Sequence, residues 1–209
     1  MKKTIIISLF ILSGFPVSAR VLPDDDSALV IRRISEAASR VTSLECDFIQ
    51  TRHISLLSSD MQSTGRLDFI VPDKLRWEYV TPENFVFILN GNSVALQKKG
   101  KTEVSDANRK KMFREIARMM MNNLTGKSLA DEKSFGTEVS AEGSQWKVTL
   151  FPLKKELKQF LSRFVMYYDE GRTAVVKVEI YEQSGDFTTI QFNNHKNNKT
   201  LEDGLFRTE

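Results

Sequence analysis

Cysteine is almost missing from this chain. Cys46 stands alone in 209 residues, which excludes an intramolecular disulfide and a cysteine-built zinc site. Histidine is nearly as scarce: His53 and His195 lie far apart, and neither has another His, Cys or acid at metal-ligand spacing. There is no Gly-rich phosphate loop and no nucleophile elbow. Asp68 and Glu78 each sit between apolar neighbours on an alternating stretch, so both are expected on a solvated outer face rather than in an acid/base pair. His53 alternates the same way and reads as a surface histidine. The residues therefore describe a protein that is not an enzyme and carries no cofactor or metal. No apolar run beyond Leu12 approaches the length of a membrane helix.

The first residues have the form of an export signal. Met1-Lys2-Lys3 is a basic start, Thr4–Leu12 is an apolar run too short to span a bilayer, and Val17-Ser18-Ala19 supplies small residues for cleavage. Residues 1–19 are expected to be a signal peptide removed after Ala19, leaving 20–209 as a single domain. Arg20, not a cysteine, follows the cleavage site, so an exported, soluble chain without a lipid anchor is expected. Removing Lys2 and Lys3 from 30 basic residues leaves 28 against 27 acidic ones, a net charge of +1. That balance gives no electrostatic case for nucleic acid or for bulk adhesion to an anionic membrane.

What the chain has in quantity is period-two alternation. In Gly65–Gly91, Leu67 and Phe69, then Leu75, Trp77 and Tyr79, then Phe85, Phe87 and Leu89, fall on one face, while Lys74, Arg76 and Glu78 fall on the other. Pro72 and Pro82 punctuate the strands, and Asn90-Gly91 closes a hairpin. Cys46, Phe48, Gln50, Arg52, Ile54 and Leu56 share a face of an earlier strand, with a turn at Ser58–Asp60. Later strands are predicted at 135–141, 145–151, 159–168, 173–182 and 186–193. An aromatic, one-sided sheet of this kind can curl around an apolar cavity, which points to a greasy ligand.

Two stretches have helical period instead. Val30, Ile34, Ala37, Ala38 and Val41 make one face of a helix over about 27–42, with Ser27 as its N-cap after three aspartates. Residues 108–124 form the second, with Met112, Phe113, Ile116, Met119, Met120 and Leu124 as a broad apolar stripe. Such a stripe usually packs a core, but unbranched Met side chains also adapt to varied ligands. Both readings hold if the helix covers a cavity. Lys154, Lys155 and Lys158 read as a solvated turn, with a docking patch as the sharper alternative. The whole is one mainly β, α+β domain of nine to eleven antiparallel strands with a central helical insert.

Several of these motifs resemble a known family. Phe48-Ile49-Gln50, Gly65-Arg66-Leu67-Asp68-Phe69, Pro72-Asp73-Lys74-Leu75-Arg76-Trp77, Pro82, Asn90-Gly91 and Gly185-Asp186-Phe187-Thr188 are similar to the motif series of the periplasmic outer-membrane lipoprotein carriers, the LolA-like chaperones. The resemblance implies a half-open β-barrel with a helical lid over a cavity for lipoprotein acyl chains. Leu75, Trp77, Tyr79 and Phe87 would line that cavity, with Phe48 and Phe69 as secondary candidates for the same lining; Met112, Phe113, Ile116, Met119 and Met120 would belong to the lid. The implied partners are lipoproteins, an inner-membrane ABC-type release complex and an outer-membrane acceptor, with the carrier a periplasmic monomer. The alternative is a periplasmic lipid-binding sensor or scaffold on the same fold. The pattern departs at Val71, where well-studied members place an arginine before the Pro, and in a chain that stops soon after Phe206.

Overall fold

The computed structural model describes residues 20–98, 101–103, 121, 129, 133–142, 145–169, 171 and 174–208. Its strands are β1 (Arg20–Val21), β2 (Ser43–His53), β3 (Met61–Ile70), β4 (Lys74–Thr81), β5 (Phe85–Asn90), β6 (Ser93–Lys98) and β7 (Lys101–Glu103). There follow β8 (Phe135–Glu142), β9 (Gln145–Pro152), β10 (Leu161–Tyr168), β11 (Val175–Glu182) and β12 (Phe187–Asn197). All twelve lie in one antiparallel sheet, ordered β1-β8-β9-β10-β11-β12-β2-β3-β4-β5-β6-β7. Ten have six residues or more, as the alternation predicts; β1 and β7 are short edge strands of two and three. Among the described residues the edges do not pair with each other, so the sheet is a half-open barrel rather than a closed one.

Helix α1 (Asp24–Ser39) buries Val30, Ile34 and Ala38 in successive turns on one face. It begins three residues earlier than the sequence predicts. Pro23 precedes it, Asp26 lies in its first turn where the helix dipole favours a carboxylate, and Ser27 instead bonds its hydroxyl to the Leu22 carbonyl at 3.3 Å. The two-residue loop between β5 and β6 is Gly91-Asn92, one step beyond the expected pair, with Gly91 at φ 59°. Alternation in β2 stops at His53, because the Leu57 amide donates to the Ile54 carbonyl and folds the chain into a turn; Leu56 leaves the inner face and is 95% exposed. Around Lys154, a short helix α2 (Lys155–Lys158) replaces the expected turn.

Strand β12 runs on to Asn197, and a 3-10 turn at Asp203–Phe206 lies against the outside of the sheet. There Phe206 joins Val86, Ile88 and Ala95 in a second, smaller core flanked by Ile70, Leu201 and Leu205. Lys74 holds Asp203 at 2.7 Å, and the Asn90 amide donates to the Phe206 carbonyl at 3.2 Å. The expected lid stretch 108–124, with Met112, Phe113, Ile116, Met119 and Met120, lies outside the described residues except for Met121, which is helical and buried in the main core. Among the described residues, no helix is long and apolar enough to cross a membrane.

Candidate functional site

Antiparallel register stacks the inward-facing residues into rows that cross the sheet. Leu44, Phe69, Leu75 and Leu89 form one row; Cys46, Leu67, Trp77 and Phe87 form the next; Phe192, Phe48, Gly65, Tyr79 and Phe85 form a third. On the other half of the sheet Val139, Val148, Met166, Val178 and Ile190 continue the same surface. Residues from both halves belong to one hydrophobic cluster, closed on one side by Val30 and Ile34 of α1, so this face is the inside of the curl.

The six residues singled out in the sequence stand together here. Phe48, Phe69, Leu75, Trp77 and Phe87 are buried, and half-buried Tyr79 packs against them. The Phe48 ring sits 4.8 Å from Trp77 and 5.2 Å from Tyr79, which stacks on Phe85 at 4.3 Å. Gly65 makes this arrangement fit. A Cβ on it would overlap the Glu78 carbonyl oxygen and the Phe48 ring, so the aromatic side chain covers the space that a side chain at 65 would take. Sequence reasoning missed the other wall, where β9, β10 and β12 contribute Val148, Leu150, Phe164, Met166, Tyr168 and Phe192. The same alternation was present there, and the inner face of β10, with Phe164 and Tyr168, carries as many aromatics as that of β4.

Polar groups on this face are few. Gln50, the third residue of Phe48-Ile49-Gln50, accepts a hydrogen bond from the Tyr79 hydroxyl at 2.9 Å. Burial raises the Tyr79 phenol above its ordinary value, so it stays a neutral donor. The Trp77 indole is close enough to oppose that rise but makes no hydrogen bond of acceptable geometry, leaving its buried Nε1 without a partner. The Cys46 thiol is pushed up to about 12, first by burial, and behaves as an inert apolar side chain. Val71 packs against the same cluster and donates its amide to the Thr42 carbonyl. His53, at the strand end, is partly exposed, bonded to Asp60 at 2.8 Å and stacked on Phe187. Among the described residues, no three of His, Cys, Asp and Glu come together to hold a metal ion.

The outer face corrects one expectation. Asp68 is not solvated; it is 2% exposed, between Arg66 and Glu45. Glu78 remains partly exposed beside Arg76. Glu45 is buried and receives Lys196 at 2.7 Å, Lys199 at 3.3 Å and Arg66. Its carboxyl is held down to about 2, first by the Lys196 hydrogen bond and against the opposing cost of burial. A carboxylate with a depressed folded pKa contributes stability that is complete above about pH 4.5 and lost as pH falls toward 2. Asp68, raised by burial against the pull of Arg66, works in the opposite direction. Glu45→Gln should lower stability at neutral pH by about 2 kcal/mol and lose that deficit by pH 2, read from urea unfolding across the acid range. An unchanged acid slope in the variant would show that the lysine cage does not stabilise the fold.

Comparison with known proteins agrees with this geometry. Residues 39–209 match the family model described as Outer membrane lipoprotein carrier protein LolA. No curated protein matches the chain. Among solved structures it is similar to MucB in the Pseudomonas aeruginosa MucA/MucB complex, at 13% identity and TM-score 0.52, over 88% of this chain and 61% of that one. The chain thus spans about three-fifths of the length of that relative. It is also similar to the Mycobacterium tuberculosis lipoprotein LppX, at 13% identity and TM-score 0.48, over 87% of this chain and 100% of that one. A third is a putative outer membrane lipoprotein-sorting protein domain from Vibrio parahaemolyticus, at 11% identity and TM-score 0.47, over 88% and 97%. At these identities the likenesses concern the fold.

Proposed function

Because this chain belongs to the outer membrane lipoprotein carrier protein LolA family, we propose that it carries acylated protein cargo, with the concave face receiving the acyl chains. The observation that supports this most is the continuous apolar interior, in which rows of side chains from both halves of the sheet meet with few polar interruptions. An acyl chain in water costs about 0.8 kcal/mol per exposed CH₂, so a protein interior that covers several chains makes an insoluble cargo diffusible. Leu75, Trp77, Tyr79 and Phe87 would form the chain-binding wall, with Phe48 and Phe69 beside them. The helix expected over 108–124 would close the opening through Met112, Phe113, Ile116, Met119 and Met120. Residues 1–19 would direct export to the periplasm and then be removed, leaving a soluble monomer. An inner-membrane ABC-type complex would supply the lipoprotein, and an acceptor at the outer membrane would take it.

Mass spectrometry of what co-purifies from the periplasm tests this. Intact triacylated proteins are the expected result. Ile116→Glu should reduce loading at least ten-fold, because an unpaired carboxylate would have to be buried against the acyl chains. Normal loading by a folded variant would remove that helix from the mechanism. A lipid-binding sensor on the same fold is the second reading, and the likeness to MucB, whose structure is that of a complex with MucA, favours it. Free lipid together with a stable protein partner, and no lipoprotein, would select it. A chain that retains neither lipid nor lipoprotein would overturn both.

A further inference from the structure

The concave face and the ion cluster around Glu45 leave one feature of the molecule unused: a rim of exposed apolar side chains at one end of the barrel. Strand register fixes which loops meet there. His53 pairs with Phe187, Phe187 with Tyr181, and Leu161 with Glu182, so the β2–β3, β9–β10 and β11–β12 connections share an end. Of the ten exposed large apolar side chains among the described residues, seven lie at this end, which argues against a random scatter. The loop tips carry the most prominent: Leu56 at 95%, Phe160 at 59%, and Leu57 and Leu153 at 48% each.

Hydrogen bonds join these loops into one ridge. The Gln183 amide N–H donates to the Phe160 carbonyl at 3.0 Å, and its side chain donates to the Leu161 carbonyl at 3.3 Å. Across the next gap, the Ser55 amide and hydroxyl both donate to Asp186 Oδ1, at 2.9 and 2.8 Å. The charge on the ridge is uneven. Lys154, Lys155 and Lys158 are exposed between Leu153 and Phe160, with Glu156 the one carboxylate among them. Among the described residues, other acids at this end are engaged: Asp60 by His53, Asp186 by Ser55, Glu182 by Arg52 and Glu83 by Lys98. The opposite end is turned by polar residues such as Asp73, Asn92 and Asp169.

We propose that this ridge is a docking surface for an anionic lipid bilayer. Leu56, Leu57 and Phe160 would enter the interfacial layer while the three lysines meet lipid phosphates. The apolar residues stand on protruding turn tips rather than lining a groove, which suits a soft plane better than a shaped protein partner. The near-neutral chain has no general attraction to membranes, so contact depends on this patch and is reversible.

Flotation of the full chain with large unilamellar vesicles tests the proposal, using phosphatidylcholine alone or with added phosphatidylglycerol. The native protein should float preferentially with the anionic vesicles. Lys154→Gln, Lys155→Gln and Lys158→Gln together should lower that partition roughly 100-fold, about five-fold per lysine. Leu56→Ser with Phe160→Ser should lower binding to both vesicle types by about ten-fold. These side chains are exposed, so thermal unfolding and acyl-probe binding should match the native chain; failure here is thereby separable from failure of the cargo reading. A native chain that floats with neither vesicle, or variants that float as well as it does, would overturn the proposal. Loss of cross-linking to an envelope protein in the serine variant, with no vesicle binding by the native chain, would reassign the ridge to a protein partner and equally end the lipid proposal.

Discussion

Trp77→Ala should lower the free energy of unfolding by about 3–5 kcal/mol, the range for deleting a large aromatic from a packed interior. The side chain is 6% exposed and has Phe48 at 4.8 Å, Phe192 at 6.3 Å and Tyr79 at 6.4 Å, so its removal leaves a void that several rings cannot fill without moving. Trp77→Phe separates packing from polarity. It keeps most of the ring area and deletes an Nε1 donor that has no partner, so its cost should stay below about 1.5 kcal/mol. Urea unfolding of both variants, paired with displacement of a fluorescent acyl probe, gives the reading. A small loss in Trp77→Ala combined with much weaker probe binding would identify the residue as the wall of a space that cargo fills. A small loss with unchanged binding would remove Trp77 from both roles.

How much of this was legible in the sequence depended on whether the signal was local. The inner face of β3, β4 and β5 follows from alternation, because a strand's side-chain period is two and only one face of this stretch was aromatic. The outer face of β5 departs from that one-sided pattern. Val86 and Ile88 alternate with Phe85, Phe87 and Leu89, so the run is apolar on both faces, the pattern of a strand covered on both sides. Its cover is the tail, some 110 residues later, where Leu201, Leu205 and Phe206 are dispersed among charged residues and show no period. Asp68 was misjudged as well, because alternation places it on the outer face but does not tell whether that face is covered.

The inner wall was half legible for a different reason. Each row of the concave face is assembled by cross-strand register, and register is set by turns and bulges rather than by composition. The shifts between Thr64 and Gly65 and between Asn193 and Lys196 are of this kind. A glycine in a strand hints at close approach, but the identity of the approaching group appears only when β2, β3 and β4 are aligned. Phe48 and Gly65 are seventeen positions apart in sequence and directly opposed in the sheet.

Gly65→Ala should therefore be among the most disruptive single-methyl additions in this protein, costing about 3 kcal/mol or more, at or above the top of the usual range for overpacking. The argument is steric. The added carbon would overlap the Glu78 carbonyl oxygen, a backbone atom of the neighbouring strand that cannot rotate away, and the Phe48 ring on the inner face. Relief would need β3 and β4 to separate or Phe48 to leave its place over the glycine, which would also disturb its contacts with Trp77 and Tyr79. Phe48→Leu in the same chain gives the control. If the ring is one of the two obstacles, the double variant should lose less than the sum of the Gly65→Ala and Phe48→Leu losses, by a coupling on the order of 1 kcal/mol, and the rest of the Gly65→Ala loss should report the carbonyl clash. A double loss equal to the sum of the Gly65→Ala and Phe48→Leu losses would place the whole cost on the backbone. A Gly65→Ala chain as stable as the native one would mean that β3 and β4 are not held at this separation, and that the inner face is more deformable than its close ring contacts indicate.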